Sequence, residues 1–388
     1  MKTFDAIVVG LGAMGSATVY QLASRGAQVL GLEQFSSPHD QGSSHGDTRI
    51  TRLGVGEGAH YSPLVMRSHE LWRQMEAETG ARLLTTNGGL IISSRGHTSF
   101  THVADFFDNT LAAARQFRIA HELLDAAEIR RRFPPFAVRD HEIGYYEPSA
   151  GYLRPEECVR AQLTLAARHG AQIHAGERMV KFEATPQGVR VTTDKAHYDA
   201  ARLVLAVGPW LAGVLGDRYA RMFQVYRQVL FWFAAKETIA PFLPDRFPVF
   251  IWALPENAKG IYGFPAIDGP DGGIKIASEQ YDVPTTPQGV DRNVSPHEST
   301  EMFANYVAPH VAGVSGKCLK AVSCLYTVTR DAGFVIDRHP DFENVLMASP
   351  CSGHGFKHSA AIGEALSELV LDGKTHFDLS PFGLARLM

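Results

Sequence analysis

The chain has 388 residues, of which 45% are hydrophobic, and its formal net charge is −4 at pH 7. This length and hydrophobic content suffice for one large domain or two interleaved domains with a sizeable core. Acidic and basic residues are interspersed, so we expect neither nucleic acid nor a membrane surface as a partner.

The first thirty-odd residues carry the most informative pattern. An apolar run at residues 6–9 leads into Gly-Leu-Gly-Ala-Met-Gly at residues 10–15, and a helical stretch then leads to a second apolar run that ends at Glu33. Such glycines allow a tight turn, a close approach to a pyrophosphate and close packing of the helix on its strand. Glu33 can accept hydrogen bonds from ribose hydroxyls. The segment therefore predicts a βαβ dinucleotide site that binds an ADP moiety.

The pattern up to residue 210 mixes helices and strands. Residues 35–47 are polar and contain glycine, which predicts a loop. We expect helices over 62–78, 98–117 and 156–169, a strand over 86–93 and a small hairpin over 190–200. The apolar run at residues 202–207 predicts a buried strand beside the first one, as a doubly wound nucleotide domain requires.

The second half begins with aromatic and β-branched runs between residues 226 and 276, which predict an antiparallel sheet. An exposed connection is expected over 283–296, a helix over 297–309, strands over 321–329 and 345–347, and a closing helix over 358–372. The predicted class is α/β (α+β), with a Rossmann-like nucleotide-binding domain interleaved with an antiparallel-sheet substrate domain. We expect the first domain to comprise residues 1–85, 150–220 and 320–388, and the second 86–149 and 221–319.

Targeting and metal signals are weak. The chain enters its first strand almost directly after Lys2, and no apolar run reaches the ~20 residues that would span a bilayer. The cysteines at 158, 318, 324 and 351 form no Cys-x-x-Cys pair and no metal-like spacing with histidine. We therefore expect a cytoplasmic protein without a metal site.

Four stretches together resemble one enzyme family. They are the glycine motif, Ser-His-Gly-Asp-Thr-Arg-Ile-Thr-Arg at 44–52, Cys-Leu-Tyr-Thr at 324–327 and Ser-Gly-His-Gly-Phe-Lys at 352–357. From residue 4 to about 380 the chain resembles the monomeric sarcosine oxidase and N-methyltryptophan oxidase family. The resemblance implies FAD, bound covalently through Cys324, in a monomer. It also implies oxidation of a secondary amine that carries a carboxylate to an imine, with O₂ reduced to hydrogen peroxide.

The resemblance implies three sets of site residues. The catalytic set is Lys275, Arg49, His45 and Thr48. Residues implied to hold FAD are Gly10, Gly12, Ala13, Met14, Gly15, Glu33, Gln34, Ser43, Ser44, His45, Arg49, Val180, Gly208, Trp210, Cys324, Gly353, Gly355, Phe356 and Lys357. Substrate-binding residues are Arg52, Lys357, Ile261 and Glu279.

The chemistry of these residue types agrees with the implied roles. A guanidinium suits a carboxylate clamp, which fits Arg52 paired with Lys357. Lys275 lies between apolar residues on a predicted strand, where a buried ammonium is costly, and by resemblance it sits near the flavin N5 and stabilises superoxide. From the residues alone, Cys324 is most simply a small buried hydrophobe, whereas for Lys275 the alternative is an outward-facing position on an alternating strand.

The chain also departs from the family pattern. Sarcosine-specific members carry a histidine where this chain has Glu279, and a tyrosine where it has Ile261. We therefore expect a rebuilt substrate pocket. The alternatives are a flavin dehydrogenase of the same fold, an oxidase of a bulkier amine such as a fructosyl amino acid, an NAD(P)-dependent dehydrogenase, and a non-catalytic binding protein.

Overall fold

The computed structural model describes residues 3–94, 103–254 and 260–388. The strands are, in chain order, β1 (Thr3–Val9), β2 (Val29–Glu33), β3 (Arg49–Thr51), β4 (Leu84–Thr86), β5 (Gly89–Ser94), β6 (Glu122–Asp125), β7 (Glu142–Glu147), β8 (Gly151–Leu153), β9 (Gln172–Ala175), β10 (Met179–Thr185), β11 (Gly188–Thr193), β12 (His197–Leu205), β13 (Gln224–Ala235), β14 (Val249–Trp252), β15 (Ile261–Phe264), β16 (Ile274–Ser278), β17 (Pro284–Thr285), β18 (Val314–Val328), β19 (Val335–His339) and β20 (Phe342–Ser349).

The α-helices are α1 (Ala13–Ser24), α2 (Ser62–Thr79), α3 (Phe106–Gln116), α4 (Ala126–Arg132), α5 (Pro155–Arg168), α6 (Leu211–Leu215), α7 (Asp217–Ala220), α8 (Gly269–Gly272), α9 (Pro296–Met302) and α10 (Ser359–Leu371). Short 3₁₀ turns occupy Ala59–Tyr61, Gly208–Trp210, Ala240–Phe242, Phe356–His358, Ser380–Phe382 and Leu384–Leu387, and a π-helical turn occupies Phe303–Val307.

The first sheet has a parallel centre in the order β9-β2-β1-β12-β20. Strands β10, β11 and β19 extend it with antiparallel pairs. In β1 each residue from Ala6 to Val9 has at most 6% of its surface exposed, as expected for a strand covered on both faces. Helix α1 packs against α5 and α10. This sheet confirms the predicted Rossmann-like unit, including the strand at 202–207 beside β1.

The second sheet follows the order β17-β13-β16-β15-β14-β5-β7-β6, with β18 paired along β13. Its strands are antiparallel except for β5 beside β14, so the antiparallel sheet expected between 226 and 276 is confirmed. A small third sheet, β3-β8-β4, carries Arg49. The two large sheets take their strands from alternating segments of the chain, which is the interleaving that was predicted.

Some element boundaries differ from the expected ones. The strand expected at 86–93 is two strands, β4 and β5, because Gly88 has a φ of +80° between them. The helix expected over 297–309 is α-helical only as far as Met302 and continues as the π-helical turn. The helix expected over 98–117 is observed as α3 from Phe106, and residues 98–102 lie outside the described residues. Strand β18 pairs with β13 in the second sheet as far as Val328, so it continues past the domain boundary expected between residues 319 and 320. The division into domains remains a prediction.

Candidate active site

A large cavity of about 980 Å³ lies at the carboxyl ends of β1 and β2. We call it the large cavity. Its lining includes the start of α1, the loop at 34–44 and the Gly-rich segment that precedes α10. Predicted FAD-binding residues that line it are Gly10, Gly12, Ala13, Met14, Glu33, Gln34, Ser43, Ser44, Arg49, Val180, Gly208, Trp210, Gly353, Gly355 and Phe356.

The remaining predicted FAD-binding residues lie elsewhere. Gly15 packs α1 against β1, since a Cβ atom at that position would lie 1.7 Å from the Gly10 carbonyl oxygen. His45 is buried beside Cys324. Cys324 and Lys357 line a second, smaller cavity.

The ADP end of the large cavity is built around Glu33. Its Oε2 accepts a hydrogen bond from the Leu11 N–H at 2.8 Å, and its Oε1 accepts one from the Phe35 N–H at 3.0 Å. Burial on its own would raise the pKa of Glu33, but the hydrogen bonds from His39 and Leu11 lower it below its usual value. Glu33 is therefore an ionised acceptor at the end of β2, as ribose recognition requires.

The start of α1 suits a pyrophosphate. The first N–H groups of a helix have no partner within the helix and carry partial positive charge. Ser44 Oγ accepts the Ala13 N–H at 3.0 Å and holds the 34–44 loop against this helix end. Gly12 has no side chain, which keeps this end of the helix open. A Cβ atom at this position would lie only 3.2 Å from Ser44 Oγ. The residues present therefore fit a dinucleotide.

The small cavity, of about 90 Å³, is next to the large one. Both are lined by Arg49, Tyr326, Gly353 and Phe356. The four predicted substrate-binding residues line the small cavity together, namely Arg52, Lys357, Ile261 and Glu279. Thus residues far apart in sequence share one small chamber beside the nucleotide site.

Two of the basic side chains that line the small cavity, those of Arg52 and Lys357, already face a carboxylate of the chain. Arg52 Nη2 donates to Glu57 Oε2 at 2.7 Å, and Lys357 Nζ lies 3.9 Å from Glu57 Oε1. Arg52 Nη1 also donates to the Gly54 carbonyl oxygen at 2.6 Å. Burial lowers the pKa of Lys357 to about 7, although the charge of Glu57 opposes this shift. The pair is therefore a cationic site whose charge depends on pH.

Cys324 is 1% exposed on β18, and its Sγ lies 3.5 Å from Arg49 Nη2. Burial on its own would raise the pKa of this thiol, but His45 and then Arg49 lower it to about 7. Arg49 is held in place because it also donates to the carbonyl oxygens of Ser43 and Thr48, both at 2.8 Å. A thiol with these neighbours is partly ionised near neutral pH and is therefore a competent nucleophile.

Lys275 on β16 is 2% exposed and is not among the described residues that line either cavity. Its Nζ donates to the carbonyl oxygens of Gly46 and Thr48, at 2.6 and 2.9 Å, and to Thr48 Oγ1 at 3.2 Å. It also lies 4.5 Å from the centre of the Phe264 ring. Burial, followed by the charge of Arg49, lowers the pKa of Lys275 well below its usual value. Lys275 therefore points inward rather than to solvent.

Known flavin-dependent oxidases are similar to this chain over almost its whole length. A family model described as FAD dependent oxidoreductase matches residues 5–369. The chain is 42% identical over 388 residues to a monomeric sarcosine oxidase from Streptomyces avermitilis, covering 99% of this chain and 98% of that protein. It is 33% identical over 389 residues to an N-methyl-L-tryptophan oxidase from Yersinia pestis, covering 99% of each.

The chain belongs to the FAD-dependent oxidoreductase family. Within it, the chain is a member of the group of monomeric sarcosine oxidases and N-methyl-L-tryptophan oxidases, which confirms the predicted family and enzyme class. In fold it is similar to NikD, described as an unusual amino acid oxidase essential for nikkomycin biosynthesis. The TM-score is 0.83 at 23% identity, covering 99% of this chain and 98% of that one.

The glycine motif alone does not distinguish FAD from NAD. Membership of this family identifies the dinucleotide as FAD. The NAD(P)-dependent alternative is thereby removed. Among the described residues no helix is long and apolar enough to cross a membrane, and no group of His, Cys, Asp or Glu side chains could hold a metal ion.

Sequence reasoning missed two acidic residues of the site. Glu57 lies between two glycines, where nothing in the local pattern distinguishes it from a loop charge. Glu156 accepts hydrogen bonds from the N–H groups of Gly46 and Asp47, which are about 110 positions away in sequence. Only the tertiary fold brings Glu57 to Lys357 and Glu156 to Gly46 and Asp47.

Proposed function

We propose that this FAD-dependent oxidoreductase oxidises a small secondary amine that carries a carboxylate, meaning an N-alkyl or cyclic amino acid, with O₂ as the electron acceptor. The observation that carries the proposal is the small cavity, where Arg52 and Lys357 lie together beside the FAD cavity. The names of the full-length relatives, sarcosine oxidase and N-methyl-L-tryptophan oxidase, support the same substrate class. The relatives described as monomeric also support a monomer.

The substrate carboxylate would bind between Arg52 and Lys357. Both side chains are nearly completely buried, so their interaction with an anion is little screened by solvent. Glu57 occupies part of this site through its bond to Arg52, and an incoming carboxylate has to share or replace that bond. Binding would thereby orient the amine end of the substrate toward the wall that the two cavities share.

When bound, FAD supplies the redox chemistry, accepting two electrons from the substrate C–H and passing them to O₂, which leaves an imine and hydrogen peroxide. Water hydrolyses an acyclic imine to an aldehyde and an amine. We propose that Lys275, held by Thr48 and the Gly46 carbonyl, stabilises the negative charge that develops on dioxygen. The aromatic walls of the small cavity, including Tyr262 and Phe264, would exclude water from the substrate.

We further propose that FAD is attached covalently through Cys324. The support is the lowered pKa of this thiol, about 7, and the contact of its sulfur with Arg49. A thiolate is the form that would add at the 8α carbon of the isoalloxazine, which loses a proton while the flavin takes up two electrons, and O₂ would then reoxidise the attached flavin to give hydrogen peroxide. The neighbouring cation would stabilise the electron-rich flavin. His45, on the same loop as Arg49, supports the reactive form of the thiol.

Glu279 and Ile261 argue against sarcosine as the preferred substrate. Glu279 lines the small cavity and contributes negative charge near Lys357 and the Tyr326 hydroxyl. Ile261 gives the small cavity an apolar wall. We propose that the substrate carries a hydroxyl or cationic group toward Glu279 and an apolar portion toward Ile261.

The experiment is peroxide production across a panel of sarcosine, N-methyl amino acids, proline, pipecolate and fructosyl amino acids, with catalase as the control. We expect peroxide from at least one N-alkyl or cyclic amino acid. Reduction of an artificial acceptor without peroxide would indicate a dehydrogenase instead. Activity confined to fructosyl amino acids would replace the proposed small substrate with a bulkier one.

A further inference from the structure

The segment that links the loop at 34–44 to β3 adopts an unusual backbone conformation. In residues 45–49, which we call the clamp loop, Gly46 has a φ of +96° and Asp47 a φ of +67°. A non-glycine residue in the left-handed region is uncommon and persists where its surroundings hold it. His45 precedes this turn and Arg49 follows it, so its shape determines where both side chains point.

One carboxylate satisfies the donors of the clamp loop. Glu156 Oε1 accepts the Gly46 N–H at 2.6 Å and the Asp47 N–H at 3.2 Å. Glu156 lies in the first turn of α5, where the helix dipole favours a negative charge. A single oxygen therefore binds two successive N–H groups whose left-handed conformation directs them to the same side of the chain.

Lysine amines contact the acceptors on the other side of the clamp loop. Lys275 Nζ binds the carbonyl oxygens of Gly46 and Thr48, and Lys320 Nζ lies 2.7 Å from Asp47 Oδ2. A Cβ at Gly46 would lie 2.6 Å from the Leu230 side chain, so there is little space for the loop to move toward β13. The clamp loop is thus held between an acid on α5 and amines on β16 and β18.

We propose that Glu156 is a positioning residue, which fixes the clamp loop and thereby holds Arg49 against the Cys324 sulfur and Lys275 against Thr48. The proposal rests on the proposed function, because it gains its meaning from the roles of Cys324 and Lys275 there. Glu156 is not among the described residues that line either cavity. Its influence therefore passes through the two N–H groups that it accepts.

Two substitutions separate the reach of this side chain from its charge. Glu156→Asp keeps the charge but withdraws the oxygen from the loop by about one methylene. Glu156→Gln keeps the reach and an acceptor oxygen but removes the charge. If the position of the oxygen matters, Glu156→Asp should incorporate less covalent flavin. Its reduced flavin should also react about 10-fold more slowly with O₂, because a misplacement near 1 Å can lower a reaction rate by up to ~100-fold.

The companion results complete the test. In Glu156→Asp we expect the rate of anaerobic reduction by substrate and the KM to stay within about twofold of wild type, because Arg52 and Lys357, which would bind the substrate carboxylate, lie outside the clamp loop. Glu156→Gln should show near wild-type covalent loading and reoxidation. The matched control is Glu157→Gln, since Glu157 is the next residue of α5 and pairs with Arg160 at the surface.

Three outcomes would overturn the inference. They are wild-type behaviour of Glu156→Asp, loss in Glu156→Gln with Glu156→Asp intact, and equal losses in reduction, reoxidation and thermal stability in both variants. Lys275→Met and Cys324→Ser are measured alongside as references. If these references lose reoxidation and covalent loading while Glu156→Asp does not, only this inference fails. If the references lose neither, the proposed function fails and the inference fails with it.

Discussion

The large and small cavities differ in what lines them. The large cavity is bounded by glycines and by the first turn of α1, and Glu33, the buried acid at the end of β2, is held by N–H groups of the chain. The small cavity is bounded by the basic side chains of Arg49, Arg52 and Lys357, by two carboxylates and by aromatic rings. Backbone and glycine suit the ADP part of FAD, whereas we propose that the charged side chains select the amine. The two regions should therefore respond differently to substitution.

The most complete effect is expected at the wall between the cavities. In Cys324→Ser we expect no covalent flavin, because the serine hydroxyl is not ionised near neutral pH. After acid precipitation the yellow colour should pass into the supernatant, whereas the wild-type pellet should keep it. Cys318→Ser is the control, since Cys318 lies on the same strand and away from both cavities. Flavin in the pellet of Cys324→Ser would place the bond elsewhere.

Substitution of Lys275 separates the two halves of the reaction. In Lys275→Met we expect reoxidation by O₂ to slow roughly 100- to 1,000-fold, the cost of removing one group that stabilises developing charge. Anaerobic reduction by substrate should change much less. Stopped-flow absorbance measures both steps, with Lys317→Met on the exposed face of β18 as the control. Unaltered reoxidation would remove Lys275 from oxygen activation.

The small cavity should be sensitive to loss of its guanidinium. Arg52→Ala is expected to raise the KM for carboxylate substrates roughly 100-fold, about 3 kcal/mol, which is the range for hydrogen bonds to charged groups. Steady-state peroxide assays give the value. Arg190→Ala removes an exposed arginine paired with Asp199 and should leave the KM unchanged. If the KM of Arg52→Ala were also unchanged, the clamp would have to lie elsewhere.

A smaller effect is expected from pH. The pKa of Lys357 is about 7, so the side chain is charged below that pH and becomes neutral above it, while Arg52 stays charged throughout. Acetate carries no group that titrates between pH 6 and 8, and we expect its inhibition constant to rise about 10-fold over that interval. Burial, followed by the charges of Glu57, Arg52 and Glu279 that face Lys357, sets its pKa. The rise should disappear in Lys357→Met, and persistence there would assign it to another group.

The large cavity could be predicted from local sequence, whereas the contacts around the small cavity and the clamp loop could not. The glycine motif, Glu33 and the helix between them are contiguous in sequence, so local spacing was enough to place the ADP site and its sheet. The resemblance brought Arg52, Lys357, Ile261 and Glu279 to one pocket, and the structure places them there. The contact of Glu57 with Lys357 and that of Glu156 with the clamp loop had no local signal, because both join segments that are distant in sequence.

The central claim is that a substrate carboxylate binds in the small cavity beside FAD. Its most direct test is an anaerobic titration that follows flavin absorbance, using the best N-alkyl or cyclic amino acid of the panel and its methyl ester. We predict that the acid bleaches the flavin and that the colour returns in air with one peroxide per flavin, whereas the ester bleaches it far less at equal concentration. Equal bleaching by acid and ester, or no bleaching by any carboxylate amine, would contradict the account.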